Sequence, residues 1–157
     1  MEATIAVQSE LIVEKELQSL KKYAENKGFE IFNLNSLTFV AKNLCAKGGD
    51  RYSLIVECDD YPNLPPIFRW CNGETLEFEG IKDVPKGDGG YFHSSRTPCA
   101  PWNRNSYKQF QGNGPHGDWQ MVGWQNNPKT GQCTTIPRMI LKMCAELQSE
   151  RYKGRSG

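Results

Sequence analysis

Long apolar runs are missing from this sequence. No stretch approaches the roughly 20 consecutive apolar residues that a membrane-spanning helix needs. The first ten residues, MEATIAVQSE, lack both a basic start and an apolar segment. The sequence therefore predicts neither a transmembrane helix nor a secretory signal peptide. We expect a cytoplasmic protein with no membrane partner.

An excess of charge of one sign is also missing. Nineteen Lys and Arg residues stand against eighteen Asp and Glu residues, which gives a net charge of +1. Proteins that bind nucleic acid usually carry a strongly basic face, so no nucleic-acid partner is predicted. The fractions of hydrophobic (38%) and charged (24%) residues are those of a globular domain.

Closely spaced cysteine pairs are the third absence. The six cysteines never occur as C-x-x-C, which argues against a redox pair or a zinc ribbon. Without a secretory signal they are expected to be free thiols. Cys58 continues the apolar alternation of a predicted strand, and Cys144 lies on the apolar stripe of a predicted helix. The other four are Cys45, Cys71, Cys99 and Cys133.

The periodic segments that are present predict one α+β domain. We place it over residues 1–157, with a core at about 9–150 and a flexible tail at 151–157. Helical spacing predicts helices at 9–27 and 136–150. Alternation and turn residues predict strands within 29–44, 51–58 and 67–70. We expect an antiparallel meander of about four strands with both helices packed against it.

Two residues are predicted to bound the first helix. Ser9 is a residue type that caps helix N-termini, and Gly28 stands where a C-cap glycine is expected.

The segment 71–133 has little periodicity and is rich in Gly, Pro, Asn and Asp. It is also rich in aromatic residues, which a disordered linker would lack. We therefore expect an ordered, irregular segment that carries function.

Three segments, in the same order, resemble the ubiquitin-conjugating enzymes. EKELQSLKKY, in the first predicted helix, is similar to the opening helix of that family. DDYPNLPPIFRW at 59–70 is similar to the family's Tyr-Pro-x-x-Pro-Pro turn and the short strand after it, and is the most specific of the three. Trp124 with TTIPRMILKMCAEL at 134–147 resembles the tryptophan and helix that follow the active-site cysteine. The resemblance implies a UBC-like fold with a long active-site loop.

The resemblance also implies a catalytic cysteine between the proline turn and Trp124. Cys71 follows a predicted strand directly, so the role is carried to Cys99 alone, in HSSRTPCAPWNRNSY. We expect Cys99 to accept a ubiquitin-like modifier protein as a thioester from a ubiquitin-activating-type adenylating enzyme, and to pass it to an amine of a protein substrate. No cofactor is expected. Arg96 and Arg104 are expected to favour the thiolate.

One departure from the family concerns the oxyanion. The family usually has His-Pro-Asn before the cysteine, and its asparagine is thought to steady the oxyanion during transfer to lysine. Here two serines follow the histidine, so that asparagine is missing. We expect the site to use other residues, with a carboxylate taking the proton of the amine. The candidates are His93, Asn103, Asn105 and His116, with Asp118 as the carboxylate that takes the proton.

A second departure is length. The loop from Cys99 to Trp124 is longer than usual, and the family's third and fourth helices are missing. Such trimmed forms look like bacterial relatives in ubiquitin-like conjugation systems. The family docks its activating enzyme on the first helix, and the outer face of that helix here has four polar residues for this role. They are Lys15, Gln18, Lys21 and Lys22; a purely solubilising face is the alternative.

Two other functions stay open. A metal site could use His93, Cys99, His116 and Cys133, or a second set of Cys71, Glu74, His93 and His116. The second order resembles a predicted metal-binding family reported near bacterial ubiquitin-like genes. Neither set contains compact ligand pairs, so we predict no stoichiometric zinc. The other alternative is a UBC-like interaction module without catalysis.

Overall fold

The computed structural model describes residues 2–78, 80–92, 97–112 and 114–156. Within these ranges the chain forms two α-helices, a four-stranded antiparallel sheet, a second small sheet and several short 3-10 turns. The helices are α1 (Glu2–Lys27) and α2 (Ile136–Leu147). The strands are β1 (Glu30–Asn35), β2 (Thr38–Cys45), β3 (Arg51–Glu57), β4 (Ile67–Cys71), β5 (Pro85–Gly87) and β6 (Tyr152–Arg155).

The main sheet confirms the predicted α+β meander. Its strand order is β1-β2-β3-β4, and every neighbouring pair is antiparallel. Side chains alternate between the two faces of a strand, so Leu54 and Val56 of β3 point to one face. Ile55 points to the other, where it packs with Val40 and Cys71.

Both helices pack on the same face of the sheet. Their apolar stripes join the inward-facing strand residues in one core cluster. In α1 the stripe is Val13, Leu17, Leu20 and Ala24, and in α2 it is Ile136, Met139, Ile140, Met143 and Leu147. These nine side chains are at most 2% exposed. Their spacing is that of one helix face, as the sequence predicted.

The sequence predicted the C-terminal end of α1 correctly but not its N-terminal end. The helix ends at Lys27, and Gly28 follows with a φ of 80°, which a glycine adopts without strain. The N-cap prediction for Ser9 is wrong, because α1 begins at Glu2. Ser9 lies inside the helix, and its hydroxyl donates to the Tyr61 carbonyl over 2.7 Å. This bond ties α1 to the proline turn.

The C-terminal segment corrects another prediction. Residues 152–155 form β6, which pairs with β5, where a flexible tail was expected. Tyr152 is 8% exposed, and its hydroxyl lies 2.6 Å from the Tyr52 hydroxyl and 2.8 Å from an Asp50 carboxylate oxygen. The strand is thereby held against the main core.

The aromatic residues of 71–133 order that segment on the sheet. Trp102, Tyr107 and Trp124 are fully buried. The Trp124 indole donates to the Pro62 carbonyl over 3.0 Å, which joins two of the segments that carry the family resemblance. Over the described ranges, neither α1 nor α2 combines the length and apolar character needed to cross a membrane.

Candidate active site

Cys99, His116 and Asp118 form a chain of contacts at the surface of the irregular segment. The Cys99 sulfur lies 3.0 Å from Nε2 of His116. On the other side of the ring, Nδ1 of His116 lies 3.4 Å from Oδ1 of Asp118. A thiol, an imidazole and a carboxylate in this order form the arrangement in which a base activates a nucleophile and a third group orients the base.

The backbone around Cys99 is fixed by neighbouring polar groups. Its N–H donates to the Gly90 carbonyl over 2.8 Å. The next N–H, of Ala100, donates to the Ser106 hydroxyl over 3.0 Å, and that hydroxyl oxygen lies 3.1 Å from the Pro98 carbonyl oxygen. The prolines at 98 and 101 supply no N–H of their own. Cys99 is thus held outside regular structure, with its side chain partly exposed.

His116 is held by its backbone and by its ring. Its N–H donates to the Ser106 carbonyl over 3.0 Å, and its carbonyl accepts from the Lys108 N–H over 3.1 Å. Gly114 permits this close approach, because a Cβ there would lie 2.5 Å from the Tyr107 carbonyl oxygen. The imidazole stacks on Trp119, with ring centres 3.4 Å apart and planes at 4°. The stacking fixes the ring plane, and in this plane Nε2 faces the thiol.

Asn103 positions the cysteine loop instead of facing the thiol. The residue is fully buried. Its amide nitrogen donates to the Pro98 carbonyl over 2.6 Å and to the Thr97 hydroxyl over 3.0 Å. Its oxygen accepts from the Phe68 and Asn105 N–H groups. Both amide hydrogens are therefore used, and none is left to donate to an oxyanion as the sequence suggested.

Asn105 and Arg104 also have structural roles. The Asn105 amide donates to the Phe68 carbonyl over 3.2 Å. The Arg104 guanidinium donates to the Pro65 carbonyl over 2.9 Å and to the carbonyl and carboxylate of Asp59. The sequence predicted that Arg104 would favour the thiolate. Its guanidinium instead makes these hydrogen bonds, which attach the 3-10 turn Arg104–Ser106 to the proline turn.

Burial raises the pKa of the Cys99 thiol, and two neighbours oppose the increase. The Ser106 hydroxyl and the Lys129 ammonium both favour the thiolate and lower the pKa. The net direction is upward, contrary to the expectation of a loop thiol activated by arginines. A thiol with a raised pKa needs a base at contact distance to become nucleophilic, and His116 occupies that position.

The other cysteines differ from Cys99 in their surroundings. Burial raises the pKa of Cys71 and of Cys144 to about 11 in each case. Cys58 is completely buried, and its pKa is raised further. Burial also raises the pKa of Cys133, whose sulfur faces the Arg138 carbonyl at 3.8 Å. Among the thiol contacts of the described residues, only the one made by Cys99 has a histidine partner.

Several predicted residues lie elsewhere or cannot be placed. His93 and Arg96 lie outside the described residues. Lys15, Gln18, Lys21 and Lys22 are exposed along α1, as an interaction surface requires, and Lys21 donates to Asn33 over 3.2 Å. In the part of the chain that the structure describes, no group of three or more His, Cys, Asp or Glu residues could hold a metal ion. The three described members of each predicted ligand set therefore do not converge.

An open cleft of about 240 Å³ lies at the thiol and is lined by Cys99, His116, Trp119 and Lys129, among others. Lys129 and Trp119 are the residues that the sequence prediction missed. The Lys129 ammonium lies 5.9 Å from the centre of the Trp119 ring, on which His116 stacks. Trp119 follows His116 closely in the chain, but nothing in the sequence pattern distinguishes it from a core aromatic.

Comparisons with family models, with curated proteins and with solved structures each give no match to this chain.

Proposed function

We propose that this chain is a ubiquitin-conjugating-type carrier, which accepts a ubiquitin-like protein as a thioester on Cys99 and passes it to a target amine. The observation that carries the proposal is the 3.0 Å contact between the Cys99 sulfur and Nε2 of His116. The α+β fold with two helices and a four-stranded meander is compatible with it. The resemblance of the three quoted segments supplies the family.

Loading begins when His116 takes the proton of Cys99. The thiolate then attacks the carbonyl carbon of the thioester held by the activating enzyme, and the carbon–sulfur bond to that enzyme breaks. Its sulfur leaves as a thiol with the transferred proton. The bonds made and broken are of the same kind, so the exchange needs access and a thiolate more than a strong driving force.

Transfer to a target amine uses the same base a second time. The amine nitrogen attacks the carbonyl carbon, the bond to Cys99 breaks, and the product is an amide. The amine has to lose a proton, which His116 accepts through Nε2 while Asp118 steadies the opposite ring nitrogen. General-base help of this kind typically contributes about 10²- to 10⁴-fold in rate.

Charging of Cys99 tests the proposal directly. The chain is incubated with an activating enzyme, its ubiquitin-like protein and ATP, and the products are separated on a non-reducing gel. We expect one thiol-sensitive adduct. It is lost, or becomes a thiol-resistant ester, in Cys99→Ser and persists in Cys133→Ser. A thiol-sensitive adduct that remains in Cys99→Ser would contradict the proposal.

A second candidate function is a cysteine hydrolase that releases a ubiquitin-like protein from a conjugate. The Cys99–His116–Asp118 chain favours it, because the same constellation serves hydrolysis when water replaces the amine. The two functions differ in the acceptor. A preformed Cys99 thioester given free lysine yields an amide if the chain is a carrier, whereas hydrolysis that exceeds aminolysis favours the hydrolase.

The outer face of α1 is the proposed docking surface for the activating enzyme. Its lysines are exposed, so reversing them leaves the core intact. We expect the triple change Lys15→Glu, Lys21→Glu and Lys22→Glu to slow charging several-fold while leaving the iodoacetamide reactivity of Cys99 unchanged. Lys86→Glu, in β5, is the control. Unchanged charging would assign these lysines to solubility alone.

A further inference from the structure

Two neighbouring clefts lie between Cys99 and α2. The cleft at the thiol adjoins a second cleft of about 490 Å³, which lies between residues 129–133 and α2. Tyr91 and Lys129 line both clefts, and we refer to the two neighbouring clefts together as the groove. One end of it is lined by Cys99, and the other by Arg138 and Lys142.

The charge of the groove has one sign. Lys129, Arg138 and Lys142 line it, and its described lining residues include no Asp or Glu. The chain as a whole has a net charge of only +1, so this excess is local. Two of the cations are held by aromatic rings. The Lys142 ammonium lies 5.6 Å from the centre of the Tyr91 ring, and that of Lys129 lies 5.9 Å from the Trp119 ring.

Nearby acidic residues do not neutralise these cations. Glu146, on α2, is buried and accepts two hydrogen bonds from Arg151, at 2.9 and 3.1 Å. The Asp118 carboxylate is in contact with Nδ1 of His116, whereas Nε2 of the same ring faces the thiol. The imidazole therefore lies between the Asp118 carboxylate and Cys99. A cleft with one sign of charge attracts the opposite charge and accelerates its association.

We propose that the groove binds an acidic C-terminal segment of the ubiquitin-like protein, with the terminal carbonyl at Cys99 and acidic side chains against Lys129, Arg138 and Lys142. This selectivity rests on the proposed function, because the donor is the protein whose last carbonyl becomes bonded to the Cys99 sulfur. The donor's last residues must stay beside the thiol for the lifetime of the thioester. An acceptor needs to bring only one amine, so the groove is assigned to the donor.

Synthetic peptide thioesters test this selectivity without any partner protein. Cys99 attacks the peptide's terminal carbonyl carbon, and the bond to a small leaving thiol breaks. That thiol departs with the proton that Cys99 gave up, so a peptidyl thioester on Cys99 forms without any redox change. The probes are three peptides of equal length that end in Gly-Gly and carry three Glu, three Gln or three Lys residues upstream.

The rate of acylation is measured by intact-protein mass spectrometry. We expect the Glu peptide to react roughly tenfold faster than the Lys peptide at low salt, with the Gln peptide between them. Raising the salt to about 0.5 M shrinks this ratio by screening. The combined variant Lys129→Glu, Arg138→Glu, Lys142→Glu reverses the order, whereas the matched variant Lys82→Glu, Lys86→Glu, Lys153→Glu, at exposed positions, keeps it.

The outcomes separate the selectivity from the proposed function. Equal rates for the three peptides, with modification lost in Cys99→Ser, would overturn the groove assignment and leave the thioester carrier standing. A Glu preference that persists in the groove variant would also overturn the assignment. If no peptide acylates Cys99 while iodoacetamide still alkylates it, the groove assignment fails, and the proposed function is then decided by charging with the activating enzyme. The ratio between peptides is the readout because the loss of Lys129 also changes the reactivity of the thiol.

Discussion

The positive charge that favours the Cys99 thiolate comes from Lys129, on the 3-10 turn Pro128–Thr130. Burial disfavours the thiolate, while the Lys129 ammonium and the Ser106 hydroxyl stabilise it. Arg104 is closer to Cys99 in the sequence, but its guanidinium is committed to Asp59 and to the Pro65 carbonyl. Lys129 therefore acts on the thiol, and Arg104 holds the loop.

Replacement of Lys129 tests this balance. Lys129→Met removes a positive charge beside the thiol, so the pKa of Cys99 rises further above its ordinary value. We expect slower alkylation of Cys99 by iodoacetamide at neutral pH and a pH–rate profile displaced to higher pH, with the same plateau rate once the thiol is fully ionised. Lys86→Met, an exposed change in β5, is the control. A profile that moves to lower pH would contradict the assignment.

At the scale of the element, β6 anchors the stretch of chain that precedes the loop carrying Cys99. Tyr152 packs edge-on against Tyr52, with ring centres 5.8 Å apart, and against Phe92 at 6.1 Å. Phe92 precedes Cys99 by seven positions in the chain. The strand is short, so its stability comes from these side-chain contacts more than from its pairing with β5.

Two changes at Tyr152 separate its packing from its hydrogen bonds. Tyr152→Phe keeps the ring and removes the hydroxyl that lies between Tyr52 and Asp50, which we expect to cost about 1–2 kcal/mol in the free energy of unfolding. Tyr152→Ala also removes the buried ring and should cost about 3–5 kcal/mol. Urea denaturation measures both. Lys153→Ala, exposed on the same strand, is the control and should change the free energy of unfolding by less than about 0.5 kcal/mol. Equal losses of stability in Tyr152→Ala and Lys153→Ala would contradict the anchoring role.

The elements that the sequence predicted are those with strong local periodicity. The stripe of α1 and the alternation of β3 depend on neighbours within one element, so the chain order alone reveals them. Ser9 and β6 were mispredicted because their partners are distant. The Ser9 hydroxyl bonds a carbonyl 52 positions away, and β6 pairs with a strand of three residues that has no apolar alternation.

The candidate site also has features that the sequence predicts and features that it does not. The family resemblance singled out Cys99, and residue type placed His116 and Asp118 among several candidates around it. The contacts that join these three side chains appear only in the structure. The role of Asn103 was not predictable from type. Its amide could equally donate to an oxyanion or hold a loop, and only its burial and its bonds to Pro98 and Phe68 decide for the loop.

At the scale of the whole molecule, Glu16 joins three separate parts of the chain. One oxygen of its carboxylate accepts from the Tyr61 hydroxyl and from the Ile136 N–H, each over 2.7 Å. The side chain therefore connects α1 to the proline turn and to the first residue of α2. Burial raises the pKa of Glu16 above its ordinary value, and the two hydrogen bonds only partly offset that increase.

The direction of this pKa shift fixes how Glu16 affects stability. A raised pKa means that the folded chain holds the proton more tightly than the unfolded chain does. The contribution of Glu16 is fully present below its ordinary pKa of 4.5 and is lost as the pH rises through the raised value. Ionisation of the partly buried Glu16 side chain therefore opposes folding, although its hydrogen bonds to Tyr61 and Ile136 hold the junction together.

Glu16→Gln should remove this pH dependence and keep the junction. The amide oxygen still accepts from Tyr61 and Ile136, but no charge has to be buried. We expect the variant to gain stability relative to the wild type as the pH is raised from about 4 to about 8, measured as the difference in free energy of unfolding in urea at each pH. Glu16→Ala leaves the Ile136 N–H without its acceptor and should cost about 1–3 kcal/mol. Glu25→Gln, exposed on α1, is the control for removing a negative charge. The difference in free energy of unfolding between Glu16→Gln and the wild type could instead stay constant with pH. That result would show that Glu16 has the same pKa in the folded and the unfolded chain, and it would contradict this prediction.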